Sequence, residues 1–197
     1  SFEVTSRPEQ GPPRLAALRN EIKAEGLDGF LVPRADVHQG EYVAPHDERL
    51  QWLTGFTGSA GFCAALVGAA GVFIDGRYRT QVKTQIADVY TPVAWPEVSL
   101  AEWLREQLPQ GGIVGFDPWL HAAAQIEQLN GALEGSDIEM RRCDNLVDRI
   151  WKDQPAGADR QGASNRVCRR KPCRQGGPSW KILARLRRGG RCNHPAR

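Results

Sequence analysis

The sequence of 197 residues predicts an α/β fold, a mixed β-sheet flanked by helices and followed by a disordered basic C-terminal tail. Short apolar runs alternate with segments of helical periodicity, as in strands joined by helical crossovers. Two of the runs are separated only by a glycine-rich turn, which indicates an antiparallel hairpin within the sheet. An abrupt change of composition after Pro155 separates the domain from the tail.

The formal charge changes sign at that boundary. Residues 1–155 contain 14 Lys and Arg against 22 Asp and Glu, which gives −8. Residues 156–197 contain 12 basic residues and one acid, which gives +11, and only four Val, Ile, Leu or Phe residues. Such a segment buries too little apolar surface to offset the entropy of ordering its chain. We therefore expect one globular domain over residues 1–155 and an unstructured tail over residues 156–197.

The first half of the domain is predicted to contain two helices and three strands. Leu15, Leu18 and Ile22 recur at three- and four-residue spacing, which predicts a helix over residues 12–25. Asp47 is a candidate N-cap for a brief helix through Leu53, because its carboxylate can accept free backbone N–H groups. The strands are predicted at residues 29–33, 62–67 and 72–74, with a turn at 68–71 between the last two.

The second half alternates helices and strands. Ser99 begins a helix, and Glu102 lies three residues further on, which is the spacing of a capping box. The other predicted helices cover residues 77–87, 122–133 and 145–151, and the strands cover residues 89–93, 113–116 and 138–140.

Several kinds of catalytic site are not expected. The domain's histidines, His38, His46 and His121, form no His-x-x-x-His pair, and the chain contains no Cys-x-x-Cys, so no spacing indicates a metal site. No Gly-x-Ser-x-Gly elbow marks a serine hydrolase. Cys63 lies in an apolar strand and is predicted to be a core residue.

The glycine-rich segment at residues 55–61 does not fit a nucleotide-binding loop. Its glycines lack the Gly-x-Gly-x-x-Gly spacing, and it runs from a helix into a strand. Phosphate-binding loops instead run from a strand into a helix N-terminus. We interpret the segment as a tight turn whose glycines adopt positive φ.

Two loops carry the candidate binding residues. Asp75-Gly76-Arg77-Tyr78 lies at a strand end just before a helix, where α/β proteins place functional groups. Arg77 offers a planar guanidinium suited to a carboxylate or a carbonyl, and the alternative is a structural ion pair with Asp75. Residues 36–42 form a second polar loop, which is either a binding loop or a solvated one.

Blocks of residues in order resemble the N-terminal domain of the aminopeptidase P family. The blocks extend over residues 12–155, and such a series is more specific than any one motif. They are residues 33–45 (PRADVHQGEYVAP), Arg49, residues 55–61 (GFTGSAG), residues 75–78 (DGRY) with Gln81, residues 115–118 (GFDP) and residues 145–151 (NLVDRIW).

The resemblance implies a creatinase-type N-terminal domain that binds no cofactor and holds no catalytic residue. In the family, a pita-bread catalytic domain further along the chain holds two divalent metal ions, usually manganese. The family hydrolyses the bond between an N-terminal residue and a following proline, with metal-bound hydroxide as the nucleophile. The family arginine of the Asp-Gly-Arg-Tyr block reaches the bound peptide. The resemblance thus assigns substrate binding to Arg77 and, in the same cleft, to His38 and Tyr42.

The resemblance also sets expectations for partners and location. Peptides with a penultimate proline are the substrates of the intact enzyme, and family members form homo-oligomers. Nothing in the sequence matches the metal-binding domain, so we expect this chain alone to be inactive. No apolar run approaches the roughly 18 residues of a membrane-spanning helix, and no secretory signal opens the chain. With few cysteines in the domain, these observations predict a cytoplasmic protein without a membrane partner.

Two hypotheses account for the basic tail. Codons chosen for residues 158–176 and read one base later give PIGKVRQTVFAGESHADK, which is similar to the family's continuation, so we hypothesise a frameshifted or truncated gene. DNA sequence across the Pro155 codon tests this hypothesis. The alternative is an interaction or nucleic-acid-binding module that uses the positive charge. Trp180 is the tail's single aromatic residue, which is too few for base stacking, so nucleic acid is not the expected partner.

Overall fold

The computed structural model describes residues 6–38, 40 and 42–156, and within them it contains a six-stranded mixed sheet flanked by helices. The predicted fold class is confirmed. The predicted tail lies outside the described residues, and the domain boundary at Pro155 stays a prediction.

Five of the six strands run in the same direction. The sheet order is β4-β3-β2-β1-β5-β6, and only β2 is antiparallel to its neighbours. The carboxyl ends of the other five strands therefore meet at one side of the sheet, which we call the carboxyl edge. The strands are β1 Gly29–Pro33, β2 Gly61–Leu66, β3 Ala70–Ile74, β4 Thr91–Ala94, β5 Gly112–Phe116 and β6 Ile138–Arg142.

Helices cover both faces of the sheet. Successive residues of a strand point to opposite faces, so Phe30 and Val32 pack with α1, α2, α3 and α6, whereas Leu31 packs with α4 and α5. The helices are α1 Gly11–Ala24, α2 Arg49–Thr54, α3 Arg79–Gln85, α4 Leu100–Gln107, α5 Ala123–Ala132 and α6 Leu146–Ile150. None of the helices within the described ranges is long and apolar enough to cross a membrane.

One of the two predicted helix caps is confirmed, and the other is wrong. The Ser99 side chain accepts a hydrogen bond from the Glu102 N–H, and the Glu102 carboxylate accepts one from the Ser99 N–H. Asp47, by contrast, does not cap α2, which begins two residues later after Glu48. Its carboxylate instead binds the guanidinium of Arg49 and the imidazole of His46, and these two partners occupy both of its oxygens.

The glycines of residues 55–61 are required for two different reasons. Only Gly55 has a positive φ, of 86°, at the end of α2. A Cβ at Gly58 would lie 2.1 Å from the Phe56 ring, and a Cβ at Gly61 would lie 2.7 Å from the carbonyl oxygen of Phe73. The prediction of positive φ therefore holds for the first glycine, while close approach explains the other two.

Candidate functional site at the carboxyl edge

Ser59 joins three loops at the carboxyl edge. Its carbonyl oxygen accepts a hydrogen bond of 3.3 Å from Arg34, which follows β1. Its hydroxyl shares a hydrogen bond of 2.5 Å with the hydroxyl of Tyr78, which follows β3. Three of the blocks that carry the family resemblance therefore come together in space, although residues 34, 59 and 78 are far apart in sequence.

Arg77 is held by Asp75 and remains open to solvent. The Asp75 carboxylate accepts a hydrogen bond from the backbone N–H of Arg77 at 3.0 Å and another from its Nε at 3.1 Å. These two bonds lower the pKa of Asp75, and the side-chain bond raises the pKa of Arg77, so both groups stay charged. The Arg77 side chain is 70% exposed. The ion pair between Arg77 and Asp75, the alternative to a binding role, is therefore present. It uses the Nε of Arg77, so the two outer guanidinium nitrogens can still bind a carbonyl or a carboxylate.

His38 and Tyr42 lie on a loop that Asp36 organises. One carboxylate oxygen of Asp36 accepts hydrogen bonds from the backbone N–H groups of His38 at 2.9 Å and of Gly40 at 3.0 Å. The Tyr42 side chain is 87% exposed. No hydrogen bond among the described residues joins His38 or Tyr42 to Arg77, so their place in a common cleft stays a prediction.

An amide and hydroxyl cluster fixes the glycine-rich segment against α3. The hydroxyl of Thr57 accepts hydrogen bonds from the side-chain amides of Gln81 at 3.1 Å and Gln85 at 2.7 Å. The amide oxygen of Gln85 in turn accepts the backbone N–H of Thr57 at 3.0 Å. Sequence reasoning did not identify Thr57 and Gln85, because no local motif pairs residues separated by so many positions.

Asp117 connects the end of β5 to the start of α6. Its buried carboxylate accepts hydrogen bonds from the backbone N–H of Trp119 at 2.9 Å and from the side-chain amide of Asn145 at 3.1 Å. Its carbonyl oxygen lies 2.9 Å from Nδ1 of His121. Burial lowers the pKa of His121, so the imidazole is neutral and its Nδ1 carries the donated proton. A lone histidine has no spacing signal, which is why the sequence did not mark His121 as a site residue.

A buried ion cluster lies behind the carboxyl edge, between α2 and α6. Arg49 binds both oxygens of Asp148, at 2.6 and 3.1 Å, and one oxygen of Asp47 at 2.8 Å. Burial acts to lower the pKa of Arg49, but the bonds to Asp148 and Asp47 raise it overall. The cluster therefore keeps its charges and fixes α6 to the rest of the domain.

The described residues do not fit a metal centre. Nowhere in these residues do three His, Cys, Asp or Glu side chains come close enough together to hold an ion. Burial raises the pKa of Cys63 to about 12 and of Cys143 to about 11, which leaves both thiols protonated and poor as ligands.

Comparison with known proteins shows which family the domain matches. Residues 14–150 match the Creatinase/Prolidase N-terminal domain family, and this segment is well over half of the chain. The chain belongs to this family. Human Xaa-Pro aminopeptidase 2 is 38% identical to it over 141 residues, which make up 70% of this chain and 21% of the human protein. This creatinase/prolidase N-terminal domain thus spans about a fifth of the length of that relative.

Two solved structures share the fold of this creatinase/prolidase N-terminal domain. The X-prolyl aminopeptidase of Caenorhabditis elegans, described as a cytosolic enzyme with a di-nuclear active site, is 28% identical with a TM-score of 0.69. That match covers 74% of this chain and 26% of the nematode chain. The N-terminal domain of the cytoplasmic peptidase PepQ from Mycobacterium tuberculosis is also 28% identical, with a TM-score of 0.57, over 70% of this chain and 98% of that one. The resemblance found in the sequence is therefore confirmed.

The lowered pKa of His121 makes the domain's stability depend on pH. Below about pH 6.5 the unfolded imidazole binds a proton that the folded one does not, so acid favours the unfolded state. We expect the free energy of unfolding to fall between pH 7.5 and pH 5.5, and to fall less in His121→Gln. Urea denaturation at a series of pH values measures this difference. Parallel profiles for the two proteins would contradict it.

Proposed function

We propose that this chain is a non-catalytic, substrate-positioning domain of a hydrolase that cleaves the bond between an N-terminal residue and a penultimate proline. Its relatives are named Xaa-Pro aminopeptidases, and it covers only 21% of the human relative's length. The proposal places two divalent metal ions, usually manganese in this family, in another part of the enzyme. A cytoplasmic location and assembly into homo-oligomers belong to the same proposal, and the description of the nematode relative as cytosolic supports the location.

The exposed guanidinium of Arg77 is the observation that carries this proposal. A substrate-positioning group must be charged, fixed in direction and accessible. Asp75 fixes the Arg77 side chain through Nε, and 70% of that side chain is exposed at the carboxyl edge. A planar guanidinium donates two parallel hydrogen bonds to a peptide carbonyl or carboxylate. His38 and Tyr42 are proposed as further contacts in the same cleft.

A hybrid enzyme tests the role of Arg77. In the hybrid, residues 14–150 of this chain replace the matching segment of the nematode aminopeptidase. We expect Arg77→Ala to lower kcat/KM for a Xaa-Pro-Xaa tripeptide by about 10- to 100-fold, because a charged hydrogen bond to the substrate contributes about 1.5–3 kcal/mol. Arg79→Ala is the matched control, since Arg79 is also exposed and paired with a carboxylate, that of Glu97. Equal effects of the two substitutions would contradict the proposal.

The 197-residue chain tests the non-catalytic part of the proposal. We expect no turnover of a Xaa-Pro-Xaa tripeptide by this chain with added Mn²⁺. Turnover would show that the chain holds a catalytic centre of its own.

The charge of residues 156–197 supports a second candidate, an interaction or nucleic-acid-binding module. A formal charge of +11 can release counterions from an acidic surface or a nucleic acid. These residues lie outside the described part of the chain, so this candidate has no structural support. Binding to DNA or RNA that weakens steeply with salt would favour it.

A further inference from the structure

The guanidinium of Arg77 is held at two points. Asp75 accepts a hydrogen bond from its Nε at 3.1 Å. In addition, its central carbon lies 5.6 Å from the centre of the Tyr78 ring, which is within the range of a cation–π contact. An ion pair that is exposed to solvent leaves a long side chain several orientations. The Tyr78 ring is therefore the second contact that limits the direction of the guanidinium.

The Tyr78 ring is itself fixed at its face and at its far end. The ring of Phe56, which is buried, meets it edge to face, with centroids 5.7 Å apart and planes at 84°. The hydroxyl of Ser59 bonds the Tyr78 hydroxyl at 2.5 Å. Since the hydroxyl is the atom farthest from the backbone, the bond to Ser59 stops the ring from swinging about its own side-chain bonds.

Ser59 lies on a segment whose position is set by the sheet and by α3. Two residues before it, Thr57 binds Gln85 through its backbone N–H and its hydroxyl. Two residues after it, Gly61 begins β2 and pairs with Ile74 at the end of β3. The Ser59 hydroxyl is thus a fixed point to which the Tyr78 ring is attached.

The bond between Ser59 and Tyr78 contributes little to folding. Ser59 is exposed, so water competes for both hydroxyls and the net gain from their bond is small. An arginine side chain, by contrast, has much rotamer freedom to lose when it binds a ligand, and ordering it beforehand removes that cost. The effect of the bond therefore falls on the order of Arg77.

We propose that Ser59 and Tyr78 are positioning residues for Arg77. The Ser59 hydroxyl holds the Tyr78 ring, and the ring holds the guanidinium in the direction from which it meets a carbonyl or a carboxylate. Neither residue touches the ligand in this role. That the ligand is a substrate rests on the proposed function, but the ordering of Arg77 does not.

Exchange of the Arg77 Nε–H proton with water, followed by NMR in the ¹⁵N-labelled 197-residue chain, tests this ordering directly. The signal is assigned by its absence from Arg77→Lys. We expect exchange to quicken about 3- to 10-fold in Ser59→Ala and in Tyr78→Phe, because each variant removes one hydroxyl and keeps the rest of the site. Ser59→Thr keeps a hydroxyl and should restore slow exchange. Ser136→Ala is the matched control, since the Ser136 hydroxyl also makes a hydrogen bond, of 2.6 Å, but lies before β6 at the opposite edge of the sheet.

The hybrid enzyme tests whether the two residues act through Arg77. We expect Ser59→Ala to lower kcat/KM for a Xaa-Pro-Xaa tripeptide by about 3- to 10-fold, the cost of ordering one such side chain on binding. In an Arg77→Ala background the same substitution should change kcat/KM by less than about twofold, because the group that it positions is gone. A residue that only stabilised the domain would have the same effect in both backgrounds.

Each outcome decides the proposal. Faster exchange in Ser59→Ala and Tyr78→Phe, with Ser136→Ala unchanged, supports it. An Arg77 signal too fast to observe in the original chain, unchanged exchange in the two variants, or an equal change in Ser136→Ala overturns it. A loss of kcat/KM in Ser59→Ala that persists in the Arg77→Ala background also overturns it. If Arg77→Ala itself leaves kcat/KM unchanged, the proposed function fails, and the exchange measurement still decides whether Ser59 and Tyr78 order Arg77.

Discussion

Replacing Arg49 with Met is expected to lower the free energy of unfolding by about 3–5 kcal/mol, because it removes the guanidinium that neutralises the charge of the Asp47 and Asp148 carboxylates. The side chains of Arg49 and Asp47 are each only 9% exposed, and Arg49 also binds Asp148 through two nitrogens. Met keeps most of the apolar stem in place. Urea denaturation followed by circular dichroism at pH 7 measures the change.

Arg149→Met is the matched control for the Arg49 prediction. Arg149 also pairs with carboxylates, those of Glu21 and Glu25, but its side chain is 36% exposed. Solvent-exposed pairs contribute at most about 1 kcal/mol. A loss below about 1 kcal/mol in Arg49→Met, or equal losses in the two variants, would show that the buried cluster does not hold α6 in place.

Replacing Gly55 with Ala is expected to cost about 3 kcal/mol or more of unfolding free energy. The left-handed conformation of Gly55, with φ 86°, costs a residue with a side chain about 1–2 kcal/mol. The new methyl group would also lie 2.4 Å from the backbone carbonyl oxygen of Gln85, and forced close packing adds about 1–3 kcal/mol. The same shift would disturb the bonds between Thr57 and Gln85. Thermal and urea denaturation both report the loss.

Gly68→Ala is the matched control for the Gly55 prediction. Gly68 lies in the turn between β2 and β3, and a Cβ there would meet no atom within 4 Å. We expect its unfolding free energy to stay within about 0.5 kcal/mol of the original. If Gly55→Ala were as stable as Gly68→Ala, the end of α2 would have to shift away from α3 without any loss of unfolding free energy.

Local patterns in the sequence were sufficient to predict most of the fold. The strand over residues 29–33 and the capping box at Ser99 both depend on neighbouring residues, and both are confirmed. The predicted cap at Asp47 is wrong because the Asp47 carboxylate binds Arg49, which also binds Asp148. Asp148 lies 99 residues after Arg49, so no local pattern indicates this cluster. The predicted strand over residues 89–93 begins later, at Thr91. The preceding residue, Tyr90, is held by a hydrogen bond from its hydroxyl to the carbonyl oxygen of Leu53.

The candidate site was predicted only in part for the same reason. Arg77 lies in a recognisable block, and its pairing with Asp75 spans two residues, so the sequence was enough to single it out. The junction at Ser59 and the hydrogen bond from Asn145 to Asp117 depend on long-range packing. A hydrogen bond between distant residues leaves no periodic trace in the sequence.

The central position of β1 has a consequence for synthesis on the ribosome. One side of β1 pairs with β2, and the other side pairs Gly29 with Val114, which is translated much later. Until β5 emerges from the ribosome, the free edge of β1 presents unpaired N–H and C=O groups, and chains aggregate at edges of this kind. At about 5–20 residues per second, that interval lasts on the order of ten seconds for every molecule made. The nascent chain is therefore most in need of a chaperone between the synthesis of β1 and that of β5.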